Sequence, residues 1–353
     1  MRRYVRKHLE HVEGYTPGEQ PREAGFIKLN TNENPYPPSP RVLDALKALD
    51  TADLRKYPDP LSTELRRACA SRYGLPGEDW VVVGNGMDEI LAMALRAFVD
   101  PGDKVVTVYP TYSLYEVLCQ LHDCHLHYVP LDADFQFPEA MYAEIGRFCF
   151  LTRPNAPTGV AYPRETVRRF CETFDGIVLI DEAYVDFSDD TCMDFPCQFE
   201  NVIVTRTFSK SYGLAGLRIG IAAARPELVS EFIKIKDSYN LNTFSQAAGL
   251  AAIEDEAYMR SRVGQVRTTR KRVRESLITM GFDVPESSSN FLLARWNGSP
   301  DAAHIFETLK EHRILVRYFK LPGLENALRI TIGTDEECAA LIEVLSSILL
   351  PSV

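Results

Sequence analysis

One segment organises the rest of the sequence: Val202-Ile-Val-Thr-Arg-Thr-Phe-Ser-Lys-Ser-Tyr-Gly-Leu-Ala-Gly-Leu-Arg-Ile-Gly220. Its apolar start predicts a buried strand, and a polar turn with a single lysine follows. Lys210 should therefore lie just beyond the carboxyl end of a strand, where open α/β sheets place their ligands. A lysine amine can form a Schiff base with an aldehyde, while Thr207, Ser209 and Arg218 offer donors that suit a phosphate.

The composition indicates a soluble globular protein of roughly two domains. The chain has 353 residues, of which 45% are apolar and 25% charged, and its formal net charge is -10. An acidic surface argues against nucleic acid or an anionic membrane as the main partner, but not against a small anionic substrate. The eight cysteines form no CxxC pair, and the first residues lack the apolar stretch of a secretory signal. We therefore expect reduced thiols in a cytoplasmic protein.

The pattern of apolar residues and turn formers divides the chain into three parts. Residues 1–40, rich in proline and glycine, predict an arm that packs on a neighbouring domain or a second subunit. In residues 41–245, short apolar runs alternate with helical stretches, which predicts a large α/β domain with a mainly parallel sheet flanked by helices. Residues 246–353 predict a smaller α/β domain.

The predicted elements of this smaller domain begin with a long helix. In order they are helix Glu256–Met280, strand Phe291–Trp296, helix Ala302–His312, strands Ile314–Phe319 and Leu328–Ile332, and helix Glu336–Leu350.

A second motif, Ile177-Val-Leu-Ile-Asp-Glu-Ala-Tyr184, places a carboxylate at the end of an apolar strand. Asp181 there can pair with a protonated pyridine nitrogen, and Tyr184 can hydrogen-bond a ring oxygen. Strand-end acids also bind Mg²⁺ in phosphate-transfer enzymes, but that alternative needs a Walker-type loop, which the sequence lacks.

Two turn-rich segments are further candidates. In Val81-Val-Val-Gly-Asn-Gly-Met-Asp-Glu89, a helix start follows a glycine turn, so the backbone at Gly86, Met87 and Asp88 can cradle a phosphate. A glutamate occupies the third glycine position of a dinucleotide fingerprint, which excludes that motif. Asn155, in a Pro- and Gly-rich loop after a strand, either reaches a ring oxygen or belongs to an ordinary turn.

Arg317 and Arg329 each lie within an apolar strand, where an arginine is costly unless it meets an anion. They suit a phosphate or carboxylate of a substrate, and structural salt bridges are the alternative. The cluster of cysteines and histidines over residues 119–127 could suggest a metal site, but its spacing matches no familiar zinc motif, and we expect no metal.

Together, these motifs resemble the fold-type I aminotransferases, which depend on pyridoxal 5'-phosphate (PLP), and among them most closely the histidinol-phosphate aminotransferases. The resemblance covers nearly the whole chain, and further short matches carry it: Tyr15-Thr-Pro-Gly, Leu29-Asn-Thr-Asn-Glu-Asn-Pro-Tyr-Pro, Tyr57-Pro-Asp, Pro110-Thr-Tyr-Ser-Leu-Tyr, Pro157-Thr-Gly and Leu328-Arg-Ile-Thr-Ile-Gly. It implies a seven-stranded sheet in the large domain, an obligate homodimer with shared active sites, and transamination of L-histidinol phosphate with 2-oxoglutarate in histidine biosynthesis.

The resemblance also implies roles for single residues. Lys210, Asp181 and Tyr184 would be catalytic: the lysine links to the cofactor and moves the proton, the aspartate pairs with the pyridine nitrogen, and the tyrosine contacts the ring oxygen. The remaining cofactor contacts would come from Gly86, Met87, Asp88, Tyr112 on the ring face, Asn155, Thr207, Ser209, Arg218 and, from the other subunit, Tyr57. The substrate would be held by Tyr15, Asn32, Arg317 and Arg329.

The sequence departs from the family at one position of the cofactor site. The family usually has Asn-Asn-Pro-Thr-Gly and uses the asparagine directly before proline at the ring oxygen, whereas this chain has Ala156 there. Either Asn155 makes this contact from the neighbouring position, or Tyr184 makes it alone.

Other activities on the same scaffold remain as alternatives: a threonine-phosphate decarboxylase, or an aromatic or other amino-acid aminotransferase. A cofactor-sensing regulator is disfavoured, because the arm is too short for a DNA-binding domain and the net charge is acidic.

Overall fold

The structure, a computed structural model, describes residues 4–349. Its strands are, in chain order, β1 (Ile27–Lys28), β2 (Val81–Asn85), β3 (Lys104–Tyr109), β4 (His125–Pro130), β5 (Phe148–Thr152), β6 (Ile177–Asp181), β7 (Val202–Thr207), β8 (Ile219–Ala223), β9 (Phe291–Arg295), β10 (Ile314–Leu315), β11 (Arg317–Tyr318) and β12 (Ala327–Thr331). Its α-helices are α1 (Pro40–Lys47), α2 (Thr63–Tyr73), α3 (Met87–Phe98), α4 (Leu114–His122), α5 (Arg164–Thr173), α6 (Pro226–Ile235), α7 (Thr243–Ile253), α8 (Glu256–Thr279), α9 (Ala302–Glu311) and α10 (Asp335–Leu349).

The large sheet contains seven strands within residues 4–349, in the order β2-β8-β7-β6-β5-β3-β4. Only β8 runs against its neighbours: it pairs antiparallel with both β2 and β7, and the remaining pairs are parallel. The predicted mainly parallel sheet is therefore confirmed, and its parallel strands end at one common edge.

Helices cover both faces of this sheet, because successive strand residues point to opposite sides. Leu179 and Ile203 pack with apolar residues of α3, α4 and α6. Val178 and Ile180 belong to a second core on the other face, which includes residues of α2, α5, α7 and α8. Burial on both faces explains why these strands are continuous apolar runs in the sequence rather than alternating ones.

A second, antiparallel sheet has the order β11-β12-β9 and packs with α8 and α9, and α10 packs on these two helices. The arm joins this region as well, because β1 pairs in parallel with β10. The Leu29 N–H donates to the Leu315 carbonyl at 2.7 Å, and the Thr331 N–H donates to the Leu29 carbonyl at 3.0 Å. The arm is therefore bound to the smaller sheet by backbone hydrogen bonds.

The single strand predicted over Ile314–Phe319 is wrong: two short strands lie there, in different sheets. β10 pairs with β1 and β11 with β12, and the buried Val316 lies between them. Because Val316 is apolar, the residues from Ile314 to Phe319 look like one continuous strand in the sequence. The last residue of the predicted helix Glu336–Leu350 and residues 1–3 of the predicted arm lie outside the described residues.

The carboxyl edge of the large sheet collects polar side chains. Strands β5, β6 and β7 end there at Thr152, Asp181 and Thr207, and α3 begins at Met87 after β2. Such an edge is where open α/β sheets bind ligands. Among the described helices, none is both long and apolar enough to cross a membrane.

Candidate active site

Lys210 lies in the turn that follows β7, and its amine points across the sheet edge to the arm. Its Nζ donates to the Thr31 carbonyl at 3.3 Å and lies 5.7 Å from the centre of the Tyr184 ring. Burial, and next the nearby Arg329, lower the pKa of this amine to about 8, against the opposing effect of Glu33. The neutral amine, which a nucleophile or base requires, is therefore far more populated near neutral pH than in an ordinary lysine.

Asp181, at the end of β6, is 1% exposed and fully oriented by hydrogen bonds. The Tyr115 hydroxyl donates to its Oδ2 at 2.6 Å, and the Ala183 N–H donates to its Oδ1 at 3.0 Å. Burial raises the pKa of this carboxyl to about 6, although the hydrogen bond from Tyr115 acts in the other direction. In the described part of the chain no cation lies within salt-bridge distance of Asp181, so the carboxylate suits a cationic ligand atom.

Tyr184 follows β6 by three residues and is 9% exposed. Its oxygen accepts a hydrogen bond from Asn32 Nδ2 at 2.9 Å, and its ring meets Phe291 edge to face at a centroid distance of 5.0 Å. Asn32 is bound in turn to Thr331 at the end of β12. The arm and the smaller sheet thus both reach the tyrosine.

A candidate phosphate cradle lies at the start of α3, formed by the turn before the helix and by Arg218. The Arg218 guanidinium donates to Asp88 Oδ2 at 3.1 Å and lies directly over Gly86, where an added Cβ would come within 2.5 Å of Nη2. Strand β8 touches the same turn, since a Cβ at Gly220 would lie 2.5 Å from the Met87 nitrogen. Two glycines therefore allow the arginine and the helix start to approach each other closely.

Thr207 and Ser209 lie beside this cradle. Thr207 is the cross-strand partner of Gly220, and its Oγ1 accepts from the Ser209 N–H at 3.1 Å. Both residues are buried, as is Met87. The phosphate-binding residues predicted from the sequence are thus brought together around the first turn of α3.

Tyr112 lies between β3 and α4, next to the first turn of α3. Its hydroxyl lies 3.4 Å from Asp88 Oδ1, and its ring contacts that of Tyr15 from the arm at a centroid distance of 5.9 Å. Burial and the negative charge of Asp88 raise the pKa of the phenol, so the ring stays neutral. A neutral aromatic face at this position can stack on a ligand ring.

Arg317 and Arg329 are directly opposite each other on β11 and β12. Both guanidinium groups lie 5.5 Å from the Phe319 ring centre, and Arg329 Nη2 donates to the Asn30 carbonyl at 2.9 Å. Arg329 Nε is buried without a hydrogen-bond partner. Within residues 4–349 neither arginine has a carboxylate within salt-bridge distance, so the pair presents unused positive charge to an anion.

Burial and the neighbouring Arg317 lower the pKa of Arg329. The buried positive charge of Arg329 carries a desolvation free energy, and an anionic ligand beside it would offset this energy. This arrangement does not match the structural salt bridges that were the alternative interpretation.

Two predicted site residues have other surroundings. Asn155 is fully buried; its Nδ2 donates to the Pro110 carbonyl at 3.2 Å and its Oδ1 accepts from Thr158 Oγ1 at 2.9 Å. Both ends of its amide therefore have partners within the protein, one in its own loop and one in the segment after β3. Tyr57 is 78% exposed, and its ring stacks on Tyr239 at 4.3 Å, so in this single chain it is not joined to Lys210 by the contacts described above.

The sequence interpretation missed Tyr115, Thr152 and Thr331 as parts of the site. Tyr115 is fully buried and donates to Asp181, so Thr152, 2.7 Å from its oxygen, must donate to Tyr115. Thr152 is also the cross-strand partner of Asp181. The signal was available, because Thr152 directly follows the apolar run Phe148–Leu151 and Tyr115 stands in the same short motif as Tyr112.

The cysteine- and histidine-rich segment forms α4 and the start of β4 rather than a cluster. His122 Nε2 lies 2.6 Å from the Val99 carbonyl, and His127 lies 3.3 Å from Glu144. Over residues 4–349 no group of three or more metal-binding side chains comes together.

The described residues fit pyridoxal phosphate at three points. Gly86 and Gly220 bring the Arg218 guanidinium close to the backbone at the start of α3, which is a set of donors suited to a phosphate. Asp181 provides a buried carboxylate whose raised pKa calls for a cation, which a protonated pyridine nitrogen supplies. Lys210 provides an amine of lowered pKa that can bind an aldehyde.

Comparison with known proteins agrees with this fit. The family model described as aminotransferase class I and II matches residues 24–345. Histidinol-phosphate aminotransferase 1 of Trichormus variabilis is 43% identical over 99% of this chain and 100% of its own length. Histidinol-phosphate aminotransferase of Synechocystis sp. is 44% identical over 98% of each chain.

A solved structure shares the fold as well. The crystal structure of histidinol-phosphate aminotransferase from Sinorhizobium meliloti in complex with pyridoxal-5'-phosphate is 27% identical, with a TM-score of 0.84 over 91% of this chain and 90% of that chain. These matches, which extend over nearly the whole sequence, show that the chain belongs to the aminotransferase class I and II family, among the histidinol-phosphate aminotransferases.

Proposed function

We propose that the protein transfers the amino group of L-histidinol phosphate to 2-oxoglutarate, giving imidazole acetol phosphate and glutamate in histidine biosynthesis. One observation carries the proposal: Lys210 and Asp181 lie at one edge of the large sheet, and Arg329 of the smaller sheet is close enough to lower the pKa of Lys210, in a chain 43% identical over 99% of its length to an enzyme of that name. Pyridoxal phosphate is the cofactor, and when bound it supplies an aldehyde carbon that carries the amino group and a ring that accepts electrons.

Lys210 has the properties of the proton-moving group. With a pKa of about 8, its Nζ can take a proton from the substrate Cα and would deliver it to the cofactor carbon on the other side of the amino nitrogen. Asp181 holds a proton on the ring nitrogen, since its two oxygens are fixed by Tyr115 and Ala183. Tyr184 makes the contact to the ring oxygen, because the amide of Asn155 is engaged elsewhere.

The two arginines explain how one site can accept two different anions. Guanidinium groups bind a phosphate or a carboxylate with the same parallel N–H donors. Arg317 and Arg329 would therefore hold the phosphate of the amino donor in one half-reaction and a carboxylate of 2-oxoglutarate in the other, with Tyr15 and Asn32 beside them.

The remaining assignments belong to the same proposal. Tyr112 stacks on the cofactor ring, and the backbone of Gly86, Met87 and Asp88 binds the phosphate with Thr207, Ser209 and Arg218. Residues 1–40, 41–245 and 246–353 are the arm, the large domain and the small domain. The enzyme is a cytoplasmic homodimer in which the exposed Tyr57 reaches the phosphate site of the partner.

A substrate panel tests the proposed reaction. The purified enzyme, loaded with pyridoxal phosphate, is mixed with histidinol phosphate, and the absorption spectrum of the bound cofactor follows the first half-reaction. We expect histidinol phosphate to convert the bound cofactor to its aminated form, and 2-oxoglutarate to restore the original form with formation of glutamate. The Lys210→Ala variant should show no conversion. Release of CO₂ from threonine phosphate, or conversion only by aromatic amino acids, would contradict the assignment of the substrate.

A further inference from the structure

We infer that Asn32 is a positioning residue that, through a hydrogen-bond chain from Thr331, fixes the Tyr184 hydroxyl as a donor into the active site. The inference rests on the proposed function, which places the cofactor's ring oxygen beside Tyr184. It concerns a different property, namely the direction in which the Tyr184 proton points.

The direction of the chain follows from counting protons at Thr331. Its Oγ1 accepts the backbone N–H of Asn32 at 3.0 Å, and the same oxygen lies 3.0 Å from Asn32 Oδ1. The single hydroxyl proton of Thr331 therefore goes to Oδ1, which turns Nδ2 of the amide toward Tyr184 at 2.9 Å. With the amide reversed, the buried Thr331 proton would have no acceptor in this chain of contacts.

The surroundings hold this arrangement in place. Asn32 and Thr331 are each 2% exposed. Asn32 has a φ of 55°, in the left-handed region that asparagine tolerates better than most residues, and Asn290 Nδ2 donates to its carbonyl at 3.0 Å. Backbone and side chain of Asn32 are thus fixed by separate hydrogen bonds.

The arrangement limits where the hydroxyl proton of Tyr184 can find an acceptor. The Tyr184 oxygen already accepts from Asn32, so its own proton must find an acceptor elsewhere. Ala156 and Phe291, which pack against the tyrosine, offer side chains without an acceptor. The Lys210 amine lies over the face of the same ring, 5.7 Å from its centre, so the tyrosine borders the site, and there its hydroxyl would donate to the cofactor's ring oxygen.

The experiment is a pH titration of the absorption band of the bound cofactor. The titrating proton is shared between the cofactor's ring oxygen and the nitrogen that links Lys210 to the cofactor. A hydrogen-bond donor at the ring oxygen stabilises its negative charge, and this lowers the pKa at which the shared proton is lost. Loss of the donor should therefore raise the pH midpoint of the titration by about one unit or more, which corresponds to the usual free energy of a hydrogen bond to a charged group. Tyr184→Phe gives the size of this effect.

The informative variant is Asn32→Asp, which keeps the shape but replaces the donor with a second acceptor. The carboxylate should take the Tyr184 proton, and the midpoint should rise as in Tyr184→Phe. In the double variant the two effects should not add, because both act through one hydroxyl. Asn297→Asp, at an exposed amide whose oxygen accepts from Asn326, makes the same chemical change away from the site and should leave the midpoint unchanged.

Charge must be separated from hydrogen bonding in this comparison. The charged groups that face Lys210 and Tyr184 are Glu33, Asp88, Asp181, Arg218 and Arg329, and all are unchanged in every variant. If Asn32→Asp acted only through its added charge, its effect would add fully to that of Tyr184→Phe. Full additivity, or an unchanged midpoint in Asn32→Asp, would overturn the inference.

A second variant guards against misfolding. Thr331→Val removes the proton that orients Asn32 and should raise the midpoint by less, again only when Tyr184 is present. If neither Asn32→Asp nor Thr331→Val changes the pH midpoint, the inference fails while the proposed function stands. If the unaltered protein gives no titratable cofactor band at all, the proposed function fails instead.

Discussion

Lys210 and Asp181 are displaced from their ordinary charge states in opposite directions. Burial lowers the pKa of the amine to about 8 and raises that of the carboxyl to about 6. Each group therefore carries less charge at its site than it would in water. The physical reason is the same for both: each is buried beside a position that a cofactor atom would fill.

Replacing Asp181 with asparagine should keep the shape of the site and remove its charge. We expect the rate of the first half-reaction to fall about 10- to 100-fold, the worth of a hydrogen bond to a charged group. Single-turnover absorption measurements give this rate. Asp175→Asn, at an exposed position, is the matched control and should leave it unchanged. Equal rates for Asp181→Asn and the control would disprove the role of the carboxylate.

The lowered pKa of Lys210 predicts how fast the cofactor-free protein recombines with pyridoxal phosphate. The neutral amine reacts, so the rate should rise about tenfold per pH unit below pH 8 and level off above it. Nα-acetyl-lysine, with an ordinary side-chain pKa, is the comparison, and its rate should keep rising to about pH 10. A protein rate that also rises to pH 10 would contradict the lowered pKa. Stopped-flow absorbance gives both rates.

Single residues differ in how far the sequence could place them. Lys210 and Asp181 follow apolar strands directly, so their position at one sheet edge was predictable. Tyr115 and Thr331 were not, because their role depends on which hydroxyl lies next to which acceptor after folding. Asn155 shows the converse: its loop was located from the sequence, but only the structure reveals that its amide is engaged by Pro110 and Thr158.

At the scale of elements, the start of α3 depends on glycine. Gly86 has a φ of 84° and a ψ of 163°, a combination that is essentially restricted to glycine, and its missing Cβ makes room for Arg218. The proposed cofactor cradle thus combines a helix start, a strand and one arginine.

Gly86→Ala should weaken the binding of pyridoxal phosphate by about tenfold or more, since the added Cβ would displace Arg218 from the position in which we propose that it binds the phosphate. Gly102→Ala is the control: its φ is 88°, but an added Cβ would meet nothing within 4 Å. Both variants should lose thermal stability from backbone strain, whereas only Gly86→Ala should lose affinity. Equilibrium titration with the cofactor and thermal unfolding separate the two effects. Equal affinity in both variants would count against the cradle.

Most elements were predictable because burial on two faces produces continuous apolar runs. The direction of β8 was not, since its buried Ile219–Ala223 looks like any central strand. The break between β10 and β11 was equally hidden by Val316. Apolar patterning records burial, but not the identity of the neighbouring strand.

At the scale of the whole molecule, Tyr57 suggests that one chain is not a complete active site. Its ring is 78% exposed although the resemblance assigns it to the cofactor phosphate. A symmetric dimer would resolve this, with each protomer lending its tyrosine to the other.

Mixing two impaired variants tests the shared site. In a dimer of one Lys210→Ala and one Tyr57→Ala protomer, one site carries both changes and the other carries neither. Random exchange of protomers should therefore restore about a quarter of the full activity at limiting cofactor. Mixing Lys210→Ala with Asp181→Asn should restore nothing beyond the residual activity of the parents, because both residues serve the same protomer's site. Recovery in neither mixture would disprove the sharing of Tyr57.

The hydrogen bonds of the arm make it a working part of the enzyme rather than an appendage. Thr31 supplies the carbonyl that receives the Lys210 amine, and Asn34 Nδ2 donates to the Lys210 carbonyl at 2.9 Å. Two residues earlier, Leu29 is fixed to both β10 and β12. A loss of the first 26 residues would leave this connection intact. A loss of 12 more would remove it, and Lys210 would then depend on its own turn alone for orientation.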